Sequence, residues 1–271
     1  MNAITSLIAF ALYLTSTLAL FMRLRGSPEG GNYFSRKPVA TLLLPGFAAV
    51  ILHGFVLYTQ LTASNGFQLG ILDALSCVFI VISLLVLLMS IKRRTEILAV
   101  FILPFSALAL LIQNLSEPSY ILPYDAPQGL KIHVLVSIIA YSILGLAACI
   151  AIMLSLQNRL LHHHHPGGWL KKIPPLQTME KLLFDFIAAG FIGLTIALGS
   201  GFVFLDDLMA QHLAHKTVLS VIAWLVFAIL LTGRFTLGWR GRTAIRWTLS
   251  GFASLMLAYF GSKIVLAFFV S

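Results

Sequence analysis

Eight apolar runs constrain this chain most strongly, because each is close to the roughly 20 residues that span a bilayer as a helix. They cover residues 2–22, 39–60, 69–91, 96–114, 130–156, 181–205, 216–233 and 245–269. The chain is 59% hydrophobic and only 10% charged, which leaves too much apolar surface for the core of a soluble fold. The sequence therefore predicts an all-α, polytopic integral membrane bundle of about eight transmembrane helices. The short connections leave no room for a soluble domain, so we expect one domain over 1–271.

The basic residues are distributed unevenly between the two sides of the predicted bundle. Fifteen of the 18 lysines and arginines follow the first, third, fifth and seventh runs, whereas Lys131, Lys216 and Lys263 fall on the other side. By the positive-inside rule, both termini face outward and the segment 157–178 faces inward. The net charge of +9 thus reflects topology and contact with anionic lipid, and we expect no nucleic-acid partner.

Four of the eight histidines fall near the ends of runs that are predicted to face outward. His133 lies one turn inside the fifth run, and His53 lies about two turns below the same surface in the second run. The other two, in the loop before the seventh run, are His212 and His215. Ser137 and Tyr141 follow His133 at four-residue steps, so we expect these three side chains to share an inward helix face. Ionisable groups are unfavourable in lipid and therefore mark candidate sites.

Each of these polar residues also has a simpler interpretation. His133 fits a hydrated residue at the lip of a helix, and the loop histidines fit exposed surface residues. Asp73 fits an ion pair with Lys131 or Lys263. The consecutive histidines 162–165 stand beside Pro-Gly-Gly, which favours a flexible loop over a metal site.

Two neutral imidazoles that project from different helices into an apolar pocket are a common way to hold haem iron. His53 and His133 are the candidate axial pair, with haem b as the hypothesised cofactor. Lys131, Lys263 or His215 would supply polar partners for the propionates near the membrane surface. The two cysteines form no Cys-x-x-Cys-His pattern, so the sequence predicts no covalent haem attachment.

The last third of the chain resembles the cytochrome c assembly protein family, in its small branch of YpjD-like and HemX-like proteins. The segments that carry the resemblance are "IHVLVSIIAYSILG" (132–145), "IPPLQTMEKLLF" (173–184), "HKTVLSVIAWLVFAILL" (215–231), "GWRGRTA" (238–244) and "GFASLMLAYFGSK" (251–263). The first four runs match in layout, with "LHG" around His53 as the local cue. The resemblance implies a haem-handling protein of the bacterial inner membrane. Its expected partners are the lipid bilayer and other membrane proteins of cytochrome maturation.

The resemblance also implies site residues. His133 occupies the place of an outer haem-ligating histidine in the family, and His215 is the nearest match to a second one. The family's tryptophan-rich motif is missing from the loop "FLDDLMAQHLAHK", and "LTGRF" retains only Arg234 of a histidine-threonine-arginine motif. The sequence also lacks a catalytic triad, paired carboxylates and a zinc signature. We therefore expect an accessory or regulatory role without catalysis of its own, and not a complete synthase.

A non-haem membrane protein is the competing hypothesis, either a small-solute transporter or an adaptor that regulates another membrane protein. A transporter is expected to have discontinuous helices and polar groups near the bilayer midplane. Here the polar residues are biased towards the outer side, and only Pro104 is expected to interrupt a helix. These features favour the haem hypothesis.

Overall fold

The structure is a computed structural model that describes residues 2–26, 33–62, 66–68, 70–93, 95–115, 121–162, 174–204 and 211–261. The helices are α1 (Asn2–Arg25), α2 (Tyr33–Arg36), α3 (Val39–Leu61), α4 (Ile71–Lys92), α5 (Glu96–Ile112), α6 (Gln128–His162), α7 (Leu176–Phe204), α8 (Gln211–Thr236) and α9 (Gly241–Met256). Among the described residues, α1 and α3–α8 are long and apolar enough to cross a membrane. The predicted all-α, polytopic membrane bundle is therefore confirmed, and the orientation of its termini stays a prediction.

The eighth predicted run is described only in part. Helix α9 is followed by a π-helical segment, Leu257–Gly261, and the rest of the run, including Lys263, lies outside the described residues. The seventh run begins earlier than predicted, because α8 already starts at Gln211. The backbones of His212 and His215 therefore belong to the first turns of α8, and the prediction that they lie in a loop is wrong.

The chain divides into two compact units, which we describe separately. Unit 1 contains α1–α5 together with strands β1 (Gly66–Gln68) and β2 (Ile121–Pro123), and unit 2 contains α6–α9. Both units lie within the one domain predicted over 1–271, and that single-domain assignment stays a prediction.

In unit 1, α1 packs against both α3 and α5, and α4 packs against α3 and α5. The buried side chains at these contacts are mainly apolar, for example Leu20, Leu43 and Leu87. The antiparallel pair of β1 and β2 joins the end of α3 to the segment that follows α5, with Phe67 opposite Leu122. This unit therefore forms a bundle of four long helices with a short ribbon at one end.

In unit 2, α6 and α7 pack closely because glycines on α7 lie directly against α6. A Cβ atom on Gly190 would come within 2.6 Å of Leu144, and one on Gly193 would come within 3.0 Å of Ala140. Small residues allow this approach, as is common between membrane helices. Gly193 begins the glycine-rich segment "GLTIALGSGF", and its lack of a side chain allows the close approach at Ala140.

The two prolines inside unit 1 helices do not break them. Pro45 lies within α3 and Pro104 within α5, and α5 runs without interruption from Glu96 to Ile112. The expectation that Pro104 interrupts a helix is therefore wrong. A proline removes one backbone hydrogen bond of its helix. In a membrane bundle, groups on neighbouring helices and small local changes of the backbone provide other partners for the freed carbonyl, so the helix can continue.

Candidate functional site

His133 lies in the second turn of α6 and is half-buried. Its Nδ1 atom is 3.0 Å from the hydroxyl oxygen of Ser200, which lies near the end of α7. The Ser200 hydroxyl in turn donates a hydrogen bond of 2.9 Å to the carbonyl of Ala197, one turn earlier on α7. The imidazole is thus attached through one nitrogen to a hydroxyl that is itself bonded to the backbone.

This arrangement favours one tautomer of His133. A serine hydroxyl carries a single proton, and here that proton points to Ala197. Ser200 then accepts a hydrogen bond from Nδ1–H of His133, which leaves Nε2 as the unprotonated nitrogen. The hydrogen bond to Ser200 engages the ring through Nδ1, and Nε2 is the nitrogen that this tautomer leaves as an acceptor.

The helix face that carries His133 points into unit 2, as the sequence predicts. His133, Ser137 and Tyr141 are all half-buried. Ile132, Leu135 and Ile139, which lie on the other side of the helix, are exposed. The Tyr141 hydroxyl donates to the sulfur of Met256 at 2.6 Å, and its ring contacts the rings of Phe252 and Tyr259. The lower part of this face is therefore a wall of aromatic side chains and one thioether.

His53 has a different environment, in the core of unit 1. It is fully buried on α3, with Nδ1 3.1 Å from the hydroxyl of Tyr13 and Nε2 2.7 Å from the hydroxyl of Ser76. A second buried pair joins α4 to α5, where the hydroxyl oxygen of Ser83 lies 2.5 Å from that of Ser106. Hydrogen bonds among these buried side chains connect α1, α3, α4 and α5.

Both ring nitrogens of His53 therefore already have partners within unit 1. An iron atom would have to replace either Tyr13 or Ser76, and the displaced hydroxyl would lose its bond in an apolar core. The side chain of Gln113, also fully buried, lies near His53, and the backbone carbonyl of Gln113 accepts a hydrogen bond of 3.0 Å from the side chain of Gln60. The pairing of His53 with His133 stays a prediction, but the geometry of His53 is that of a structural residue.

The remaining candidates divide between described and undescribed positions. His215 lies in α8, and its side chain lies outside the described part of the structure. Lys131 is half-buried in the first turn of α6. Asp73 is buried at the start of α4, where its carboxylate accepts a hydrogen bond of 3.0 Å from the backbone N–H of Gly70. Of the four consecutive histidines, the first ends α6 and the other three lie outside the described residues.

The turn between α8 and α9 is held by Glu180 of α7. The backbone N–H of Gly241 donates to Glu180 at 2.8 Å, and Arg240 lies 3.8 Å from the same carboxylate. Gly238 and Gly241 both have positive φ angles, of 66° and 56°, which glycine adopts without strain. Trp239 packs on Trp247 with ring centres 5.4 Å apart. These contacts fix the conformation of the turn between α8 and α9.

Sequence reasoning missed the hydrogen-bond partners of both histidines. Ser200 lies in the glycine-rich segment "GLTIALGSGF", whose composition gives no sign of a partner for His133. Ser76 and Ser83 did carry a signal, since together with Ser90 they recur every seven residues along α4, and all three are buried. A polar stripe of that period on an otherwise apolar helix indicates a face turned towards other helices.

Within the part of the chain that the structure describes, the acidic, histidine and cysteine side chains are dispersed. Within the described residues, no three of these groups come together as ligands for a bare metal ion. Haem needs only one or two axial ligands from the protein, so this dispersion is compatible with haem. His133, with one nitrogen fixed and the other available, has the donor chemistry that an axial position requires.

Comparison with known proteins places this architecture in a family. The sequence model of the Cytochrome C assembly protein family matches residues 41–270. Inner membrane protein YpjD of Escherichia coli (strain K12) is 28% identical over 230 residues, which cover 82% of this chain and 85% of that protein. An uncharacterized 28.8 kDa protein of Azospirillum brasilense is 27% identical over 97% of both chains.

A more distant relative is also informative. Cytochrome c biogenesis protein CcsA of Chlamydomonas reinhardtii is 28% identical over 155 residues, which cover 56% of this chain and 43% of that protein. No solved structure matches the chain. Because the family match spans most of the sequence and both structural units, the chain belongs to the cytochrome c assembly protein family.

Proposed function

We propose that this chain is a haem-binding protein of the bacterial inner membrane with an accessory or regulatory role in cytochrome c maturation. The observation that carries the proposal is His133, whose Nδ1 is bonded to Ser200 and whose Nε2 is left as an acceptor. Membership in the cytochrome c assembly family and the relationship to an inner membrane protein support the same conclusion.

The proposed ligands lie at the start of two helices of unit 2. His133 holds the iron through Nε2, and His215 of α8 is the proposed second ligand. His53 ranks below His215, since both of its nitrogens are bonded within unit 1. Bound haem b supplies an iron that accepts imidazole nitrogens, together with two propionates, for which Lys131 in the first turn of α6 is a suitable cation.

The accessory role follows from what the sequence lacks. The loop between α7 and α8 contains no tryptophan, and the inner end of α8 keeps only Arg234 of the expected motif. Arg234 is used structurally, because it stacks over Phe184 and donates to the carbonyl of Trp239 at 3.2 Å. A protein that holds haem without these elements fits storage, transfer or sensing of haem beside other maturation proteins.

Visible absorption spectra of the purified protein, oxidised and reduced, test this proposal when haem is supplied during expression. The wild type is expected to show a low-spin haem spectrum, and His133→Ala and His215→Ala are expected to lose it. His212→Ala is the matched control on the same helix and should keep the spectrum. Loss of the spectrum in His53→Ala in place of His215→Ala would identify the buried pair instead.

A wild-type protein that binds no haem would leave the second candidate function, a non-haem transporter or adaptor. One observation favours the haem proposal over a transporter. The helices α3 and α5 run continuously through their prolines, whereas transporter sites are typically built from broken helices.

A further inference from the structure

The contact between His133 and Ser200 lies within a well-defined register of α6 against α7. The helices run antiparallel, and each step along α6 is matched by an equal step back along α7. A Cβ on Gly129 would collide with Phe204, and one on Gly193 would lie 3.0 Å from Ala140. His133 and Ser200 fall between these two close approaches at the same register, with Nδ1 and Oγ 3.0 Å apart. Backbone packing therefore places the two side chains opposite each other.

Ser200 also has a fixed orientation. Its hydroxyl donates to Ala197 of its own helix at 2.9 Å, so its lone pairs point away from that carbonyl and towards His133. Alanine at this position would keep the helix but remove the acceptor. Threonine would keep the hydroxyl and the same bond to the preceding turn.

We propose that Ser200 is a positioning residue for His133, which sets the tautomer and the ring orientation that direct Nε2 to the haem iron. This inference rests on the proposed haem-binding function. Histidines that bind metals usually donate their second N–H to an acceptor, and this bond fixes the tautomer and makes the imidazole a stronger donor. Without the acceptor, the ring is free to rotate and to protonate Nε2 instead.

The chemistry predicts effects on both binding and redox behaviour. A hydrogen bond from Nδ1–H to Ser200 increases electron density on Nε2, which stabilises ferric over ferrous iron. Loss of the acceptor is expected to raise the midpoint potential of the haem. It is also expected to weaken haem binding by about tenfold or more, as for other partners of metal-ligating histidines.

The variants Ser200→Thr and Ser200→Val separate the hydroxyl from the shape of the side chain, because threonine and valine are nearly isosteric. Haem affinity and midpoint potential are measured for both, together with Ser200→Ala and the wild type. Threonine is expected to retain wild-type values, and valine and alanine are expected to bind haem more weakly with a higher potential. Ser250→Ala is the matched control, since Ser250 is exposed on α9 and donates to its own helix at Arg246.

The outcomes distinguish this inference from the proposed function. If threonine and valine variants have the same affinity and potential while His133→Ala loses haem, Ser200 does not position the ligand and the function stands. If the wild type binds no haem, the proposed function itself fails. Should the alanine variant not accumulate in the membrane, the threonine and valine pair still decides, because both place the same volume at this position.

Discussion

His53 and His133 both lie within long apolar helices, and the structure gives them opposite environments. His53 is fully buried in unit 1, and hydroxyls of Tyr13 and Ser76 occupy both of its nitrogens. His133 is half-buried in unit 2, and within the described residues only its Nδ1 is bonded to another side chain. Both nitrogens of His53 are used in hydrogen bonds within unit 1, whereas Nε2 of His133 can still bind a ligand.

The comparison shows that the number of satisfied hydrogen bonds distinguishes the two residues better than their depth does. A deeper histidine in an apolar helix looks like the stronger ligand candidate, since burial is unfavourable without a function. Partners on neighbouring helices provide another explanation, because a fully satisfied polar group is tolerated in a core and helps to fix helix packing. His53 has such partners on both sides, whereas His133 has one.

The largest expected effect concerns topology, on which the outward position of both histidines depends. Reporter fusions at Ser271 and near Gly167 are expected to give opposite signals, with Ser271 outside. The physical reason is the uneven distribution of lysine and arginine between the two sides. Identical signals from the two fusions would contradict the assigned orientation and remove the argument that His53 and His133 lie towards the same surface.

The next largest effect is expected on stability, and it should differ between substitutions of the two histidines. His53→Leu is expected to destabilise the protein by about 2 kcal/mol or more, because it leaves the buried hydroxyls of Tyr13 and Ser76 without their partner. His133→Leu is expected to change stability much less. Denaturation in detergent, followed by helical circular dichroism without haem, measures both. Equal destabilisation by the two variants would show that the environments are not opposite.

Much of the fold could be predicted from hydropathy, but the helix ends could not. Polar residues continue α6 to His162 and begin α8 at Gln211, so these helices are longer than the apolar runs that identify them. A helix continues past the apolar region as long as its backbone bonds and side chains permit, and hydropathy does not report this. The short pairing of Phe67 with Leu122 was also missed, because isolated strands of three residues have no recognisable periodicity.

For the candidate site, the sequence predicted which residues share a face of one helix, but not which residues of different helices are in contact. The spacing of His133, Ser137 and Tyr141 correctly indicated one inward face. The contact with Ser200, 67 residues away, depends on the register between α6 and α7, which close packing at glycines establishes. The contact between Tyr13 and His53 likewise joins two helices through residues that are 40 positions apart in the sequence. Single-sequence patterns do not contain such registers.

A smaller effect is expected at the turn before α9, where unit 2 has its own buried polar contact. Glu180→Ala is expected to lower stability by about 1–2 kcal/mol, because the N–H of Gly241 loses its acceptor. Arg240→Ala should have little effect, since that guanidinium is largely exposed and 3.8 Å from the carboxylate. Changing Arg240 and Arg242 together is expected to weaken insertion or stability through lost contact with anionic headgroups.

Membrane levels and haem spectra of these variants provide the check on the turn. Haem binding per folded protein should remain at the wild-type level in Glu180→Ala and in the arginine variants. Loss of haem with unchanged protein level would mean that the ligand site extends to this end of unit 2, contrary to the placement at His133.

The smallest expected effect tests whether the His53 network acts as one unit beyond the histidine itself. Ser83 and Ser106 are both fully buried, their oxygens are 2.5 Å apart, and Ser83 lies two turns along α4 from Ser76, the partner of His53. Single hydrogen bonds between membrane helices contribute about 0.6 kcal/mol on average. A double-mutant cycle of Ser83→Ala and Ser106→Ala is expected to give a coupling energy of about that size in the wild type and a smaller one in the His53→Leu background. A coupling energy unchanged by the loss of His53 would mean that the serine pair is independent of the hydrogen bonds that His53 makes to Tyr13 and Ser76.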